Sequence, residues 1–250
     1  MYWLSKYRKI YSSCFRKDVG KMYQFNYKKV ETIEEAVNEL SANPESKILA
    51  GGMTLIPTMK QRLASPEQLI DIRNIKELNF IKEESNNIVI GSTTNHYTVA
   101  SSDLIKNKLS SLSRLAEGIG DPHVRNMGTI GGAISNNDPT ADYPAACLGL
   151  GATIRTNKRE ISADDFFISL FETALEEDEI VVSISFPIIS DSFYMKFPNP
   201  ASRYAMAGVF ISKNTSEVRV AVTGASENGV FRWTEMELSL IHISEPTRPN

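Results

Sequence analysis

Two short stretches concentrate the residues that could hold a charged ligand. "ILAGGMTLIP", Ile48 to Pro57, runs from apolar residues into a Gly-Gly pair and then a threonine. "TIGGAISNNDPTADYPA", Thr129 to Ala145, repeats the Gly-Gly pair and adds asparagines, aspartates, prolines and a tyrosine. Neither contains histidine, cysteine or an obvious nucleophile. Glycines let backbone N–H groups approach a ligand with no Cβ in the way. A helix start just beyond adds unpaired N–H groups and a positive dipole end. The chemistry on offer is anion binding, most naturally of a phosphate. For the first stretch alone, a tight strand-to-helix turn without a ligand is the competing reading.

In the second stretch Thr129, Asn136 and Asn137 offer neutral hydrogen bonds. Asp142 could accept hydrogen bonds from sugar hydroxyls. Upstream, "GDPHVRNMG" supplies Arg125, either for a phosphate or as a structural fork in a salt bridge. His123 reads as a loop histidine without chemistry. Two glycine cradles on separate elements suit a diphosphate held from two sides. There is no G-x-G-x-x-G, so this is not a Rossmann fingerprint, and there is no Walker motif.

The totals narrow the chemistry further. The 250 residues are 42% hydrophobic and 23% charged, which is globular composition. No apolar run is long enough to span a bilayer. A formal net charge of −3 leaves no basic footprint for nucleic acid. Two cysteines, Cys14 and Cys147, make neither a disulfide framework nor an iron–sulfur site by themselves. They suit a reducing, cytoplasmic compartment. His96, His123 and His242 lack metal-ligand spacing, so no metal site is expected. Redox chemistry here would need a bound organic cofactor.

Elements must position the two stretches. "ETIEEAVNEL" is a helix with Thr32 as N-cap and Glu35 completing a capping box. "SKILAGG" is a buried strand, and "TLIPTMKQRL" a helix capped by Thr54, with Leu55, Ile56, Met59 and Leu63 turned inward. "QLIDI" completes a strand–helix–strand unit and a small parallel sheet. "NFIKEESNNIVIGS" reads as a hairpin. "TTNHYTVASSDLIKNKLSSLSRLAEGI" reads as two helices broken near Ser101–Ser102, followed by the polar, bend-prone stretch and a short helix over "YPAACLGLG". Four further strands follow, mostly antiparallel.

The two ends look foreign to this pattern. Residues 1–21 hold six Lys/Arg against one acid. The pattern changes at Met22, a plausible true start. The terminal "LSLIHISEPTRPN" resembles the conceptual translation of a sequencing adaptor, so 238–250 is expected to be artefact, with the native frame continuing past Glu237.

Four segments together carry a resemblance: "ILAGGMTLIPTMKQRLASPEQLIDI", "GDPHVRNMGTIGGAISNNDPTADYPAACLGLGA", "DDFFISLFETALEEDEIVVSISFP" and "FPNPASRYAMAGVFIS". They resemble the FAD-binding medium subunit of the molybdenum hydroxylases, a family that includes carbon monoxide dehydrogenase and bacterial xanthine dehydrogenases. The resemblance runs from about Met22 to Glu237. It implies an α+β fold of the FAD-binding, vanillyl-alcohol-oxidase-like (PCMH) type. Its parts would be a small α/β subdomain over 22–75, a larger α+β subdomain over 76–195, and the start of a C-terminal antiparallel β domain over 196–237.

The resemblance also implies a cofactor, FAD, extended between the first two parts. Ala50, Gly51, Gly52, Met53, Thr54 and Leu55 would hold the pyrophosphate from one side, and Thr129, Ile130, Gly131, Gly132 and Ala133 from the other. Asp142 matches an aspartate that touches the cofactor. Ile180 or Val181 matches an apolar contact, and Lys196 a lysine at the flavin edge. Relatives often carry His or Asn where Met53 stands, and Ser or Asn where Ala133 stands. The implied function is a flavoprotein oxidoreductase subunit with no catalytic acid or base of its own. It would take electrons from iron–sulfur clusters on a small subunit, beside a molybdenum-bearing large subunit, and deliver them to NAD, a quinone or another acceptor. The alternative is a stand-alone flavin oxidase of the same superfamily, for which His96 and Cys147 are not where a covalent flavin tether is expected.

Overall fold

The computed structural model describes residues 22–242 apart from position 216. The chain begins with β1 (Asn26–Lys29), α1 (Ile33–Ala42), β2 (Ser46–Leu49), α2 (Leu55–Lys60) and β3 (Gln68–Asp71), forming a parallel sheet of order β1-β3-β2. Thr32 caps α1, its Oγ accepting from Glu35 N at 3.1 Å. The reciprocal bond falls one residue earlier than a capping box requires, since Glu35 accepts from Glu31 N at 2.9 Å.

The second helix departs from expectation. It spans six residues, and Thr54 makes no side-chain cap bond because its own backbone is already helical. Only Met59 is buried; Leu55 and Ile56 are half-buried, and Leu63 is 74% exposed. Arg62, at φ 60, has already turned the chain out of the helix before Leu63 is reached.

After a 3₁₀ turn at Lys76–Leu78 come β4 (Ile81–Glu84) and β5 (Asn87–Gly91). Ser85 and Asn86 both adopt positive φ, 46° and 65°, as a tight hairpin turn matched to strand twist requires. The expected helix pair is three helices: α3 (His96–Ser101), α4 (Asp103–Lys108) and α5 (Ser110–Glu117). Ser102 caps α4, and a second break at Leu109, outside helical φ/ψ, starts α5.

The bend-prone stretch is also mostly helical, as α6 (Pro122–Met127), α7 (Ile130–Asn136) and the start of α8 (Asp142–Leu150). Asp121 and Thr129 are its caps. Asp121 Oδ1 accepts from Val124 N at 2.9 Å, with Pro122 placed where its missing N–H costs nothing. Thr129 Oγ1 accepts from Gly132 N at 3.1 Å.

The chain continues through β6 (Thr153–Thr156), β7 (Glu160–Ser162), α9 (Ala163–Phe166), β8 (Phe167–Ser169), β9 (Glu172–Thr173) and β10 (Val181–Pro187). An antiparallel sheet of order β4-β5-β10-β6-β7 results. Last come β11 (Ser192–Pro198), β12 (Ala205–Lys213), β13 (Val218–Thr223), β14 (Phe231–Arg232) and α10 (Thr234–His242), the strands forming one antiparallel sheet in sequence order.

Helix α8 is buried along its whole length, as its all-round apolar sequence requires. It packs on β12 and β13 with Gly149 against Phe210. The other face of the last sheet is divided. Helix α10 covers β13, where Val220 and Val222 are buried. Phe193, Met195 and Phe197 stand 50, 66 and 69% exposed, opposite Ile211, Val209 and Ala207. Helix α10 also crosses the expected boundary at Glu237, whose buried carboxylate accepts from Val220 N and Arg232.

Candidate functional site

The two glycine stretches meet. A Cβ on Gly51 would collide with the Met127 carbonyl oxygen and lie 2.8 Å from Gly128 Cα. A Cβ on Gly132 would stand 4.0 Å from that of Ala50. The loop after β2 and the α6–α7 turn therefore pack against each other, as the two walls of a candidate groove. Gly51 has to be glycine because backbone passes against backbone there.

The walls differ in what they offer. Among the described residues, the N–H groups of Gly51, Gly52, Met53, Thr54 and Leu55 have no acceptor. Gly52 reaches its place with φ 71, and Met53 and Thr54 are exposed. On the opposite wall the donors are engaged. Ile130 N bonds Thr94 O, Gly131 N bonds Ser92 O, Gly132 N bonds Thr129 Oγ1 and Ala133 N bonds Thr129 O, at 2.9–3.1 Å. What remains there is the Thr129 O–H proton and the bare Cα of exposed Gly132. A helix-dipole contribution is small on both sides, since α2 has six residues and α7 seven. An extended diphosphate would be bonded by the first wall and shaped by the second. The free donors and bare glycines fit such a group.

Asp142 and Lys196, far apart in sequence, are directly bonded. Lys196 Nζ lies 3.0 Å from Asp142 Oδ1 and donates to Gly118 O and Arg203 O, both at 2.9 Å. Tyr194 donates to Asp142 Oδ1 at 2.5 Å. Burial raises the Asp142 pKa, against the lowering effect of Lys196 and Tyr194. The Lys196 ammonium thus has three acceptors from three segments and acts as a tie between the last sheet and the loop after α5.

Ile180 and Val181 are both 4% exposed and face opposite ways. Ile180 belongs to the apolar cluster on which Ala50 packs, while Val181 belongs to the larger core around α8. Only Ile180 supports the first loop. Asn137 does not offer its side-chain N–H groups to a ligand, because they bond Ser169 O and Glu172 O at 2.8 and 2.9 Å. Arg125 is a structural fork whose acceptors are carbonyls and no carboxylate, Ile119 O at 3.0 Å and Gly120 O at 2.9 Å. Cys147 is fully buried, and burial pushes its thiol pKa well up, so it is no tether.

Two residues were given no place in the site by the sequence reading. Tyr204 is near enough to Thr54 and Asp138 to feel both, and burial raises its pKa. His96 is buried behind Gly128. Each lies in a string already quoted, but neither position announces its long-range neighbour.

Residues 23–189 match the family model described as "FAD binding domain in molybdopterin dehydrogenase". The glyceraldehyde dehydrogenase medium chain of Sulfolobus acidocaldarius is 35% identical, over 87% of this chain and 81% of that one. The carbon monoxide dehydrogenase medium chain of Hydrogenophaga pseudoflava is 36% identical, over 84% and 77%. Among solved structures, a Cu,Mo carbon monoxide dehydrogenase chain superposes with a TM-score of 0.84 at 32% identity, over 88% of this chain and 81% of its own. No helix among the described residues is long and apolar enough to cross a membrane.

Proposed function

The chain belongs to the family of FAD-binding domains of molybdopterin dehydrogenases, and on that premise we propose that it relays electrons between subunits of such a complex. Its cofactor is FAD and its class is oxidoreductase. The relay would run from iron–sulfur clusters on a small subunit, beside a molybdenum-bearing large subunit, to an external acceptor such as NAD or a quinone. The "medium chain" names of the relatives support separate partner subunits. FAD, when bound, supplies the electron exchange; the protein supplies position and electrostatics.

In this reading the N–H groups of Gly51 to Leu55 bind the pyrophosphate, with Ala50 setting the loop on its apolar base. Thr129 donates its hydroxyl from the opposite wall, where Ile130, Gly131, Gly132 and Ala133 hold the surface in shape. Lys196 and Asp142 fix the loop after α5 at the groove's edge, and Ile180 supports the first wall from below. Nothing in this division of labour asks a side chain to act as general acid or base. The observation that carries the reading is the packing of Gly51 on Met127–Gly128, which joins two sequence motifs into one groove.

The test is an absorption spectrum of the purified protein before and after acid precipitation. A yellow protein that releases FAD into the supernatant supports the reading, and a pull-down then seeks iron–sulfur and molybdenum partners. Yellow colour that stays in the pellet favours a covalent flavin oxidase. A folded sample that stays colourless after FAD is added overturns the reading.

A further inference from the structure

Behind the second wall lies a group that this division of labour leaves unused. His96 is 5% exposed, and among the described residues its side chain makes no hydrogen bond; Nδ1 is buried without a partner. Its backbone N–H donates to Gly128 O at 3.0 Å. The Nε2–Cδ2 edge of its ring lies so close to Gly128 that a Cβ there would come within 2.5 Å of Nε2 and 2.9 Å of Cδ2. On its far side the ring meets Tyr143, with centroids 5.3 Å apart. Tyr143 is fully buried, and its hydroxyl is also unpartnered. On the near side, Gly128 Cα lies 2.8 Å from where a Cβ on Gly51 would stand.

These contacts form one stack from the central helix to the first glycine loop: Tyr143, His96, Gly128, Gly51. We propose that His96 is a positioning residue for FAD, a spacer whose ring sets how closely the Gly128 turn approaches Gly51 and so fixes the width of the cofactor groove. The inference rests on the FAD reading above. The ring works by shape. A hydrogen-bonding role would leave Nδ1 with a partner. Burial, and then the Arg125 charge facing it from α6, lower the imidazole pKa to about 4, so the spacer is neutral at ordinary pH.

The stack makes a compensating pair. Gly128→Ala puts a methyl group where the imidazole sits and should push the turn toward Gly51. His96→Ala empties that space and lets the turn fall back. The double variant fills the vacated space with the new methyl group. FAD dissociation constants are measured on all four proteins, with the melting temperature of each FAD-free chain recorded beside them. Each single variant is expected to bind FAD about tenfold or more weakly. The double variant is expected to bind more tightly than Gly128→Ala, a coupling in affinity that general loss of stability would not produce. Additive losses in the double variant, or Gly128→Ala binding FAD like the parent, would overturn the proposal.

If Gly128→Ala does not fold, His96→Phe is compared with His96→Ala. A ring that restores affinity supports the spacer, and equal affinity in the two overturns it. A parent protein that binds no FAD defeats the underlying reading instead, so the two failures are distinguishable.

Discussion

The carbonyl oxygen of Met127 occupies the place where a side chain on Gly51 would begin. No rotamer relieves this contact, because Cβ is fixed by the backbone. Gly51→Ala must therefore separate the two walls of the groove. We expect FAD affinity to fall by about tenfold or more, roughly 1.4 kcal/mol or above, as read by fluorescence titration. Unchanged affinity would mean that the walls do not jointly hold the cofactor.

Lys196 and Asp142 form a largely buried pair, with side chains 10% and 5% exposed. Removing one partner leaves a buried charge uncompensated. Lys196→Met should cost about 3 kcal/mol in a urea melt. The double variant Lys196→Met with Asp142→Asn should recover part of that loss, since no lone carboxylate remains. Equal instability of the single and double variants would argue that Lys196 acts through its bonds to Gly118 and Arg203 alone.

Acid should weaken the fold in a window set by His96. Its folded pKa, about 4, lies below the ordinary 6.5 because burial and Arg125 disfavour the charged ring. Between those values the unfolded chain binds the proton and the folded chain does not, so stability falls as pH drops through the window. Melting temperature is expected to decline from pH 6.5 to 4, and less steeply in His96→Phe. Parallel pH curves for the two proteins would contradict this.

A second acid-sensitive group is Glu179, with its side chain fully buried. It accepts from Arg159 at 3.0 Å, from Thr156 Oγ1 at 2.6 Å and from Glu176 N at 3.0 Å. The Arg159 bonds foremost hold its pKa at about 2, against an ordinary 4.5. Its stabilisation is present above 4.5 and is lost as pH falls toward 2. Glu179→Gln should cost about 2 kcal/mol at pH 7 and should show little further loss across that acid window.

The open face of the last sheet predicts self-association. Phe193, Met195 and Phe197 project from one side of β11 with no element over them among the described residues. Met195→Glu with Phe197→Lys should raise solubility and lower binding of an apolar dye without lowering the melting temperature. Dye binding unchanged by both substitutions would place the exposed apolar surface elsewhere.

Much of this architecture was legible in the residues. Thr32 marked its helix start and Ser85–Asn86 its hairpin turn, and the paired glycines mark two segments that pack together. Each signal is local, so neighbours in sequence carry it. The failures have two causes. Thr54 looked like a cap but had already entered the helix, a matter of backbone angle that residue type does not fix. The donors of Ile130 and Gly131 looked free but are engaged by Thr94 and Ser92, which arrive from the end of β5. Asn137 looked available and is holding a hairpin more than thirty residues away. Long-range hydrogen bonds decide which polar groups remain for a ligand, and local pattern does not record them.

Ile180 carries a consequence for synthesis. The other buried members of its cluster, from Val30 to Leu78, all lie in the part of the chain made first. A nascent chain leaves the ribosome amino end first. The early lobe emerges with a gap in its apolar base and keeps it until β10 has been translated. During that interval Ala50 has an incomplete floor, and the first glycine loop has no opposing wall until the Met127–Gly128 turn has been made. On the FAD reading proposed above, cofactor capture would wait until both Ile180 and the Met127–Gly128 turn have been made.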